Sequence, residues 1–166
     1  MTIINSNLSP VKSSKYSPLV QQWSQFVSRF DNQWRWWSTL TFRESRHPEA
    51  AAKTFDTFIH TLNKEIFGNR YYKKKDRGVI WSRATERQVR GAIHYHVLIG
   101  NVPDSVRRLD YVDYWNVLAG FAQILKYEPG HGAESYLSKT CYAFKHGEID
   151  LGGPLAAFNP SAGLFG

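Results

Sequence analysis

Two histidines separated by one residue, His94-Tyr95-His96, are the sharpest chemical signal in the chain. They fall in residues 92–100, a run rich in β-branched and aromatic side chains that predicts a strand. Side chains alternate between the two faces of a strand, so both imidazoles project from one side. Ile93, Tyr95, Val97 and Ile99 occupy the other side, an apolar set that packs against helices and leaves the histidine face open. Two imidazoles presented together can hold a divalent ion, although the pair also reads as ordinary surface histidines.

A third ligand follows from the turn that precedes this strand. If Val89-Arg90-Gly91 forms a three-residue hairpin loop with glycine in the left-handed position, Glu86 falls directly opposite His94. The Cβ atoms of such a pair are about 5 Å apart, within reach of one shared ion. A two-residue turn at Arg90-Gly91 would put Glu86 on the opposite face, where pairing with Arg83 or Arg90 is the plain alternative. Two imidazoles and one carboxylate suit Mn²⁺ or Mg²⁺ acting as a Lewis acid on a phosphoryl oxygen. The segment GHGAESYLSKTCYAFKHG, predicted helical over residues 132–146, offers the nucleophile. Tyr136 has Lys139 one turn later on the same side, and an ammonium there can lower the phenol pKa or stabilise developing charge. A phenolate can attack phosphorus and leave a covalent phosphotyrosine link. Tyr142 is the competitor, but Tyr136 lies nearer the stripe of Leu137, Cys141 and Phe144 that should face the sheet. A structural tyrosine beside a solvated lysine is the alternative reading of both.

The elements that position these groups are legible from periodicity. Residues 18–30 carry Leu19, Trp23, Phe26, Val27 and Phe30 at helical spacing behind Pro18. Residues 34–42 alternate as a strand, with Trp37, Thr39 and Thr41 on one side. Ala51, Phe55, Phe58, Ile59, Leu62 and Ile66 form one stripe of a helix over residues 48–67, with Gly68 as its cap. A basic run from Arg70 to Arg77 leads to strands at residues 79–86 and 92–100, a third helix over 104–118 closed by Gly120, and a strand at 121–127. The fold class is α+β, a central antiparallel sheet of four to five strands with helices mainly on one face. Residues 1–17 and 152–166, rich in Ser, Asn and Lys or in Gly, Pro and Ala, read as flexible tails around a working domain at 18–151.

Composition narrows the function. At 166 residues and 42% apolar content, the chain is one folded domain of ordinary size. No secretory leader or apolar run of membrane length is present, which implies a soluble protein of the cytoplasm with no membrane partner. The single Cys141 excludes an intramolecular disulfide and a cysteine zinc site, so a metal must be held by His and carboxylate groups. A net charge of +7 and a pI near 9.6 favour a polyanionic partner. Several of the arginines lie beside aromatics, a combination suited to unpaired bases. Trp37, Thr39, Thr41 and Arg43 then read as a platform for single-stranded DNA.

In order along the chain, WWSTLTF at residues 36–42, ERQVRGAIHYHVLIG at 86–100 and YLSK at 136–139 resemble the three motifs of the HUH endonucleases, specifically single-tyrosine rolling-circle replication initiators of plasmids, single-stranded DNA phages and viruses. The resemblance implies a five-stranded sheet related to RNA-recognition folds, of which four strands are read directly here. It implies that His94, His96 and Glu86 hold the ion, and that Tyr136, assisted by Lys139, takes a DNA phosphate as a 5′-phosphotyrosine and frees a 3′-hydroxyl. It further implies single-stranded DNA at a replication origin as the substrate, a stem-loop included, with a host helicase and polymerase as partners, since no P-loop follows. Tyr95 is bulkier than the aliphatic residue usual between the histidines, and no second tyrosine stands at two-tyrosine spacing. A transposase or relaxase shares this chemistry, and a non-catalytic single-strand-binding module would need none of it.

Overall fold

Alternation of period two builds the centre of the molecule. The computed structural model describes residues 18–89, 91–129, 136, 140, 146 and 148–157. Five strands, β1 (Trp34–Phe42), β2 (Ile80–Arg87), β3 (Ile93–Gly100), β4 (Gly120–Lys126) and β5 (Ile149–Gly152), form one antiparallel sheet in the order β4-β1-β3-β2-β5. β5 is the fifth strand that the resemblance implies. Its four residues, IDLG, are too few for a readable alternation.

Helices α2 (Pro48–Phe67) and α3 (Arg108–Leu118) cover one face. The α2 stripe of Ala51, Phe55, Phe58, Ile59 and Leu62 is buried as its 3.6-residue period predicts. His47 accepts a hydrogen bond from the Glu49 amide at its start, and Gly68 follows its end at a φ of 81°. These residues meet Trp36, Leu40, Phe42, Ile93, Tyr95, Val97 and Ile99 in the larger core, joined by Tyr111 and Trp115 of α3. Helix α1 (Pro18–Ser28) covers part of the other face, where Trp23, Phe26 and Val27 pack with Trp34, Ile80, Leu98 and Ile149. The expected α+β class, with helices mainly on one face, is the observed one. No helix among the described residues is long and apolar enough to cross a membrane.

Three boundaries differ from the expectation. α3 begins at Arg108 because Val106 N–H turns back to the Pro103 carbonyl, which puts Asp104 in a turn instead of at a helix cap. Gly153–Ala157, expected in the C-terminal tail, form a 3₁₀ turn that buries Leu155; the rest of that tail and residues 1–17 lie outside the described residues. Gly120 is not a helix cap. It is the first residue of β4, pressed so close to the end of β1 that a Cβ there would lie 2.3 Å from the Thr41 carbonyl oxygen and 2.6 Å from the Arg43 nitrogen. Gly120→Ala should therefore destabilise the protein by about 1–3 kcal/mol, lowering the urea midpoint at constant m. A wild-type midpoint would show that β4 does not approach β1 in this way.

Candidate active site

The hairpin between β2 and β3 sets the site. Gln88 N–H donates to the Ala92 carbonyl at 3.0 Å, Gly91 N–H donates to the Gln88 carbonyl at 2.8 Å, and Gly91 has a φ of 78°. This closes a three-residue loop with glycine in the left-handed position, so Glu86 pairs with His94, Ala84 with His96 and Ser82 with Leu98. On the other side of β3, Thr41 pairs with His94 and Thr39 with His96. All these residues share one sheet face, and cover decreases along β3: Leu98 lies under α1 fully buried, His96 is 4% exposed and His94 is half-buried at the open end.

Hydrogen bonds orient both rings. Thr39 Oγ1 lies 3.4 Å from Nδ1 of His96, and Thr41 Oγ1 lies 3.3 Å from Nδ1 of His94. Nε2 of His96 meets the Glu86 carboxylate at 2.7 Å, while that carboxylate's side chain is 52% exposed. Contact at this length needs a proton on Nε2, with Thr39 donating to Nδ1 or the ring doubly protonated. A cation between the same two atoms could take the place of that proton, with Nδ1–H then donating to Thr39. Burial holds the His94 pKa below the ordinary imidazole value; Glu86 opposes this and His96 adds to it. The neutral ring that results is the form that ligates a metal.

The three expected ligands are thus on one face but are not gathered around a common point. Among the described residues no group of three or more His, Cys, Asp or Glu side chains is arranged to hold an ion. The donor set nonetheless fits a divalent cation in kind: two imidazoles with Nδ1 facing hydroxyls, and one accessible carboxylate. The alternative pairing of Glu86 with Arg83 does not occur, because Arg83 is on the helix side of the sheet and pairs with Asp150 at 2.6 Å.

Tyr136 comes to the histidine face as expected, but wholly buried. Its hydroxyl is 2.9 Å from Ser82 Oγ, and its ring lies 6.5 Å from that of Trp23. Burial pushes the phenol pKa well up, with the Ser82 hydrogen bond acting the other way, so the group is protonated at neutral pH. Ser82 is a diagonal neighbour of His96 across the β2–β3 pair, a relation that spans roughly 7–8 Å between Cα atoms. Lys139 and Tyr142 lie outside the described residues.

The expected DNA platform is divided by the structure. Thr39 and Thr41 serve the imidazoles, Trp37 is half-buried against the α1 cluster, and exposed Arg43 donates to the Asn116 carbonyl near the end of α3 at 2.8 Å. Sequence reasoning missed Ser82 as the partner of the tyrosine, although the hairpin register already put it on the face of Glu86. With this geometry in place, the sequence matches the family of the replication-associated protein ORF2 over residues 35–144. No curated protein and no solved structure matches the chain.

Two measurements probe the site. Thr39→Val and Thr41→Val should each weaken Mn²⁺ binding by about 10–100-fold in calorimetry while leaving the circular dichroism unchanged. Undiminished affinity in both would remove the hydroxyls from the site. In NMR titration of the apo protein, the His94 ring protons should report a midpoint below 6.5; a midpoint above it would contradict the neutral ring.

Proposed function

The chain belongs to the family of the replication-associated protein ORF2, and we propose that it is a replication initiator that nicks single-stranded DNA through Tyr136 with a divalent metal. The observation that carries this reading is the convergence of Tyr136, His94, His96 and Glu86 on one sheet face, with the phenol anchored one residue pair from His96. Mn²⁺ or Mg²⁺, held by His94, His96 and Glu86, would supply Lewis-acid polarisation of a phosphoryl oxygen. Tyr136 oxygen forms the bond to phosphorus, the bond from phosphorus to the 3′ oxygen breaks, and that oxygen leaves as the 3′-hydroxyl once protonated. The phosphate remains linked to Tyr136 as a 5′-phosphotyrosine. Lys139, one helical turn from Tyr136 in sequence, is assigned the role of stabilising negative charge at the phenol. Single-stranded DNA of the replication origin is the substrate, and a host helicase and polymerase act on the nicked product.

Full burial of Tyr136 sets a condition on this reaction: the side chain must leave Ser82 and lose its proton before it can reach a phosphate. The same burial favours a second reading, in which Tyr136 is a core residue of a non-catalytic single-strand-binding module. Incubation with Mn²⁺ and labelled single-stranded oligonucleotides tiling the protein's own replicon separates the two. A labelled band that survives denaturation, and that Tyr136→Phe abolishes with single-strand binding intact, is the expected result. Adduct retained in Tyr136→Phe and lost in Tyr142→Phe would move the nucleophile. Tight binding without any adduct would leave the binding module.

A further inference from the structure

Between α2 and β2 the chain displays Arg70, Lys73, Lys74, Lys75 and Arg77, all exposed, against the single acid Asp76. Among the described residues none of the five cations forms an ion pair. The segment is nevertheless built and pinned. Tyr71–Lys73 form a 3₁₀ turn, the Tyr71 hydroxyl meets His60 Nδ1 of α2 at 2.8 Å, and Arg77 N–H closes on the Lys74 carbonyl at 3.1 Å. At its exit, buried Asn63 of α2 accepts from Val79 N–H at 2.8 Å. Five like charges are thus tethered to a helix and kept together at an electrostatic cost that a polyanion would relieve.

A crevice of about 310 Å³ adjoins the α2 end from which this arm departs, lined by Asn32, Gln33, Arg35, Phe67 and Asn101 and by no carboxylate. Exposed Arg35 adds a sixth cation there, among amide groups able to donate to phosphate oxygens. Both features lie at the Ile80 end of β2, and Glu86 lies at the other. Six residues of strand at about 3.3 Å each put roughly 20 Å between them. That distance corresponds to about six base pairs at 3.4 Å each.

We propose that the 70–77 arm and the Arg35 crevice form a second nucleic-acid surface, which grips the phosphate backbone of a DNA duplex adjoining the single strand at the histidine face. Duplex fits better than single strand because the arm offers cations with one exposed ring, Tyr72, and no series of aromatics on which bases could stack. This inference rests on the DNA-binding part of the reading above and is independent of the nicking chemistry.

The test replaces Arg70, Lys73, Lys74, Lys75 and Arg77 together by Gln, with Lys73→Glu/Lys75→Glu as a second variant at two exposed positions. Affinity is measured in EDTA for a fluorescent 20-base-pair duplex of arbitrary sequence and for a single strand of equal length, over a series of NaCl concentrations. The expected result is a loss of duplex affinity of about tenfold or more, with the slope of log K against log salt reduced by about 0.9 per phosphate contact removed. Single-strand affinity should change by less than about twofold, as expected for a site elsewhere on the sheet. Unchanged duplex binding in both variants overturns the proposal. Equal loss on duplex and single strand also overturns it, as does loss of binding to phosphatidylserine vesicles with duplex binding kept. Adduct formation through Tyr136, scored separately, can fail while this surface stands.

Discussion

A strand buried on one face and functional on the other has only one acceptable register, and β3 is such a strand. Ile93, Tyr95, Val97 and Ile99 are all buried in the core under α2 and α3. Burial stabilises by about 1.5–3 kcal/mol for each large apolar side chain, so a one-residue slip, which would turn all four out and the histidines in, is strongly disfavoured. The left-handed Gly91 fixes the same register from the turn, so that loop geometry and core burial agree. His94 and His96 follow from this arrangement without contributing much to it. The odd-numbered residues hold the strand in place, and the even-numbered ones are presented by it.

The central position of β3 carries the effect outward in both directions. β2 brings Glu86, Ala84 and Ser82 to the histidine row, and β1 brings Thr41 and Thr39 to the Nδ1 atoms. On the helix side, Arg83 shows how the edge is secured. Its guanidinium lies 4.8 Å from the Phe55 ring centroid and 4.6 Å from that of Tyr95, while it pairs with Asp150 of β5. A buried charge is costly to desolvate, and the ring faces together with one carboxylate offset that cost. β5 is thereby tied to β2 at the position next to Ser82, the residue that receives the Tyr136 hydroxyl.

What could be read in the sequence was local. Strand alternation in β1 and β3, the stripe of α2 and the turn chemistry at Gly91 each involve residues a few positions apart, and each gave the observed element or pairing. The pairing of Glu86 with His94 was legible because a hairpin register follows from its loop. Pairing of β1 with β3 joins residues more than fifty positions apart, and no local rule supplies it. Thr39 and Thr41 therefore read as part of an open platform, while in the fold they meet imidazoles. Gly120 misled for a related reason, since a glycine after a helix is most simply a cap, and its true constraint is the backbone of a distant strand. The segment IDLG at β5 was too short for any periodicity to emerge.

The histidine face is graded, and the gradient bears on how a nick could be controlled. At its closed end, Trp23 and Leu98 exclude water around a phenol that stays protonated. At its open end, Glu86 and His94 face solvent, where a DNA strand can reach them. A tyrosine held in the dry part cannot attack phosphorus, because a protonated and enclosed hydroxyl is a poor nucleophile. Moving it towards the open part gives up burial of the ring and the Ser82 hydrogen bond, so interactions with bound DNA have to offset that loss. Nicking by Tyr136 would then depend on substrate binding as well as on the metal ligands, and cleavage in the absence of a correctly bound strand would be suppressed by the fold itself.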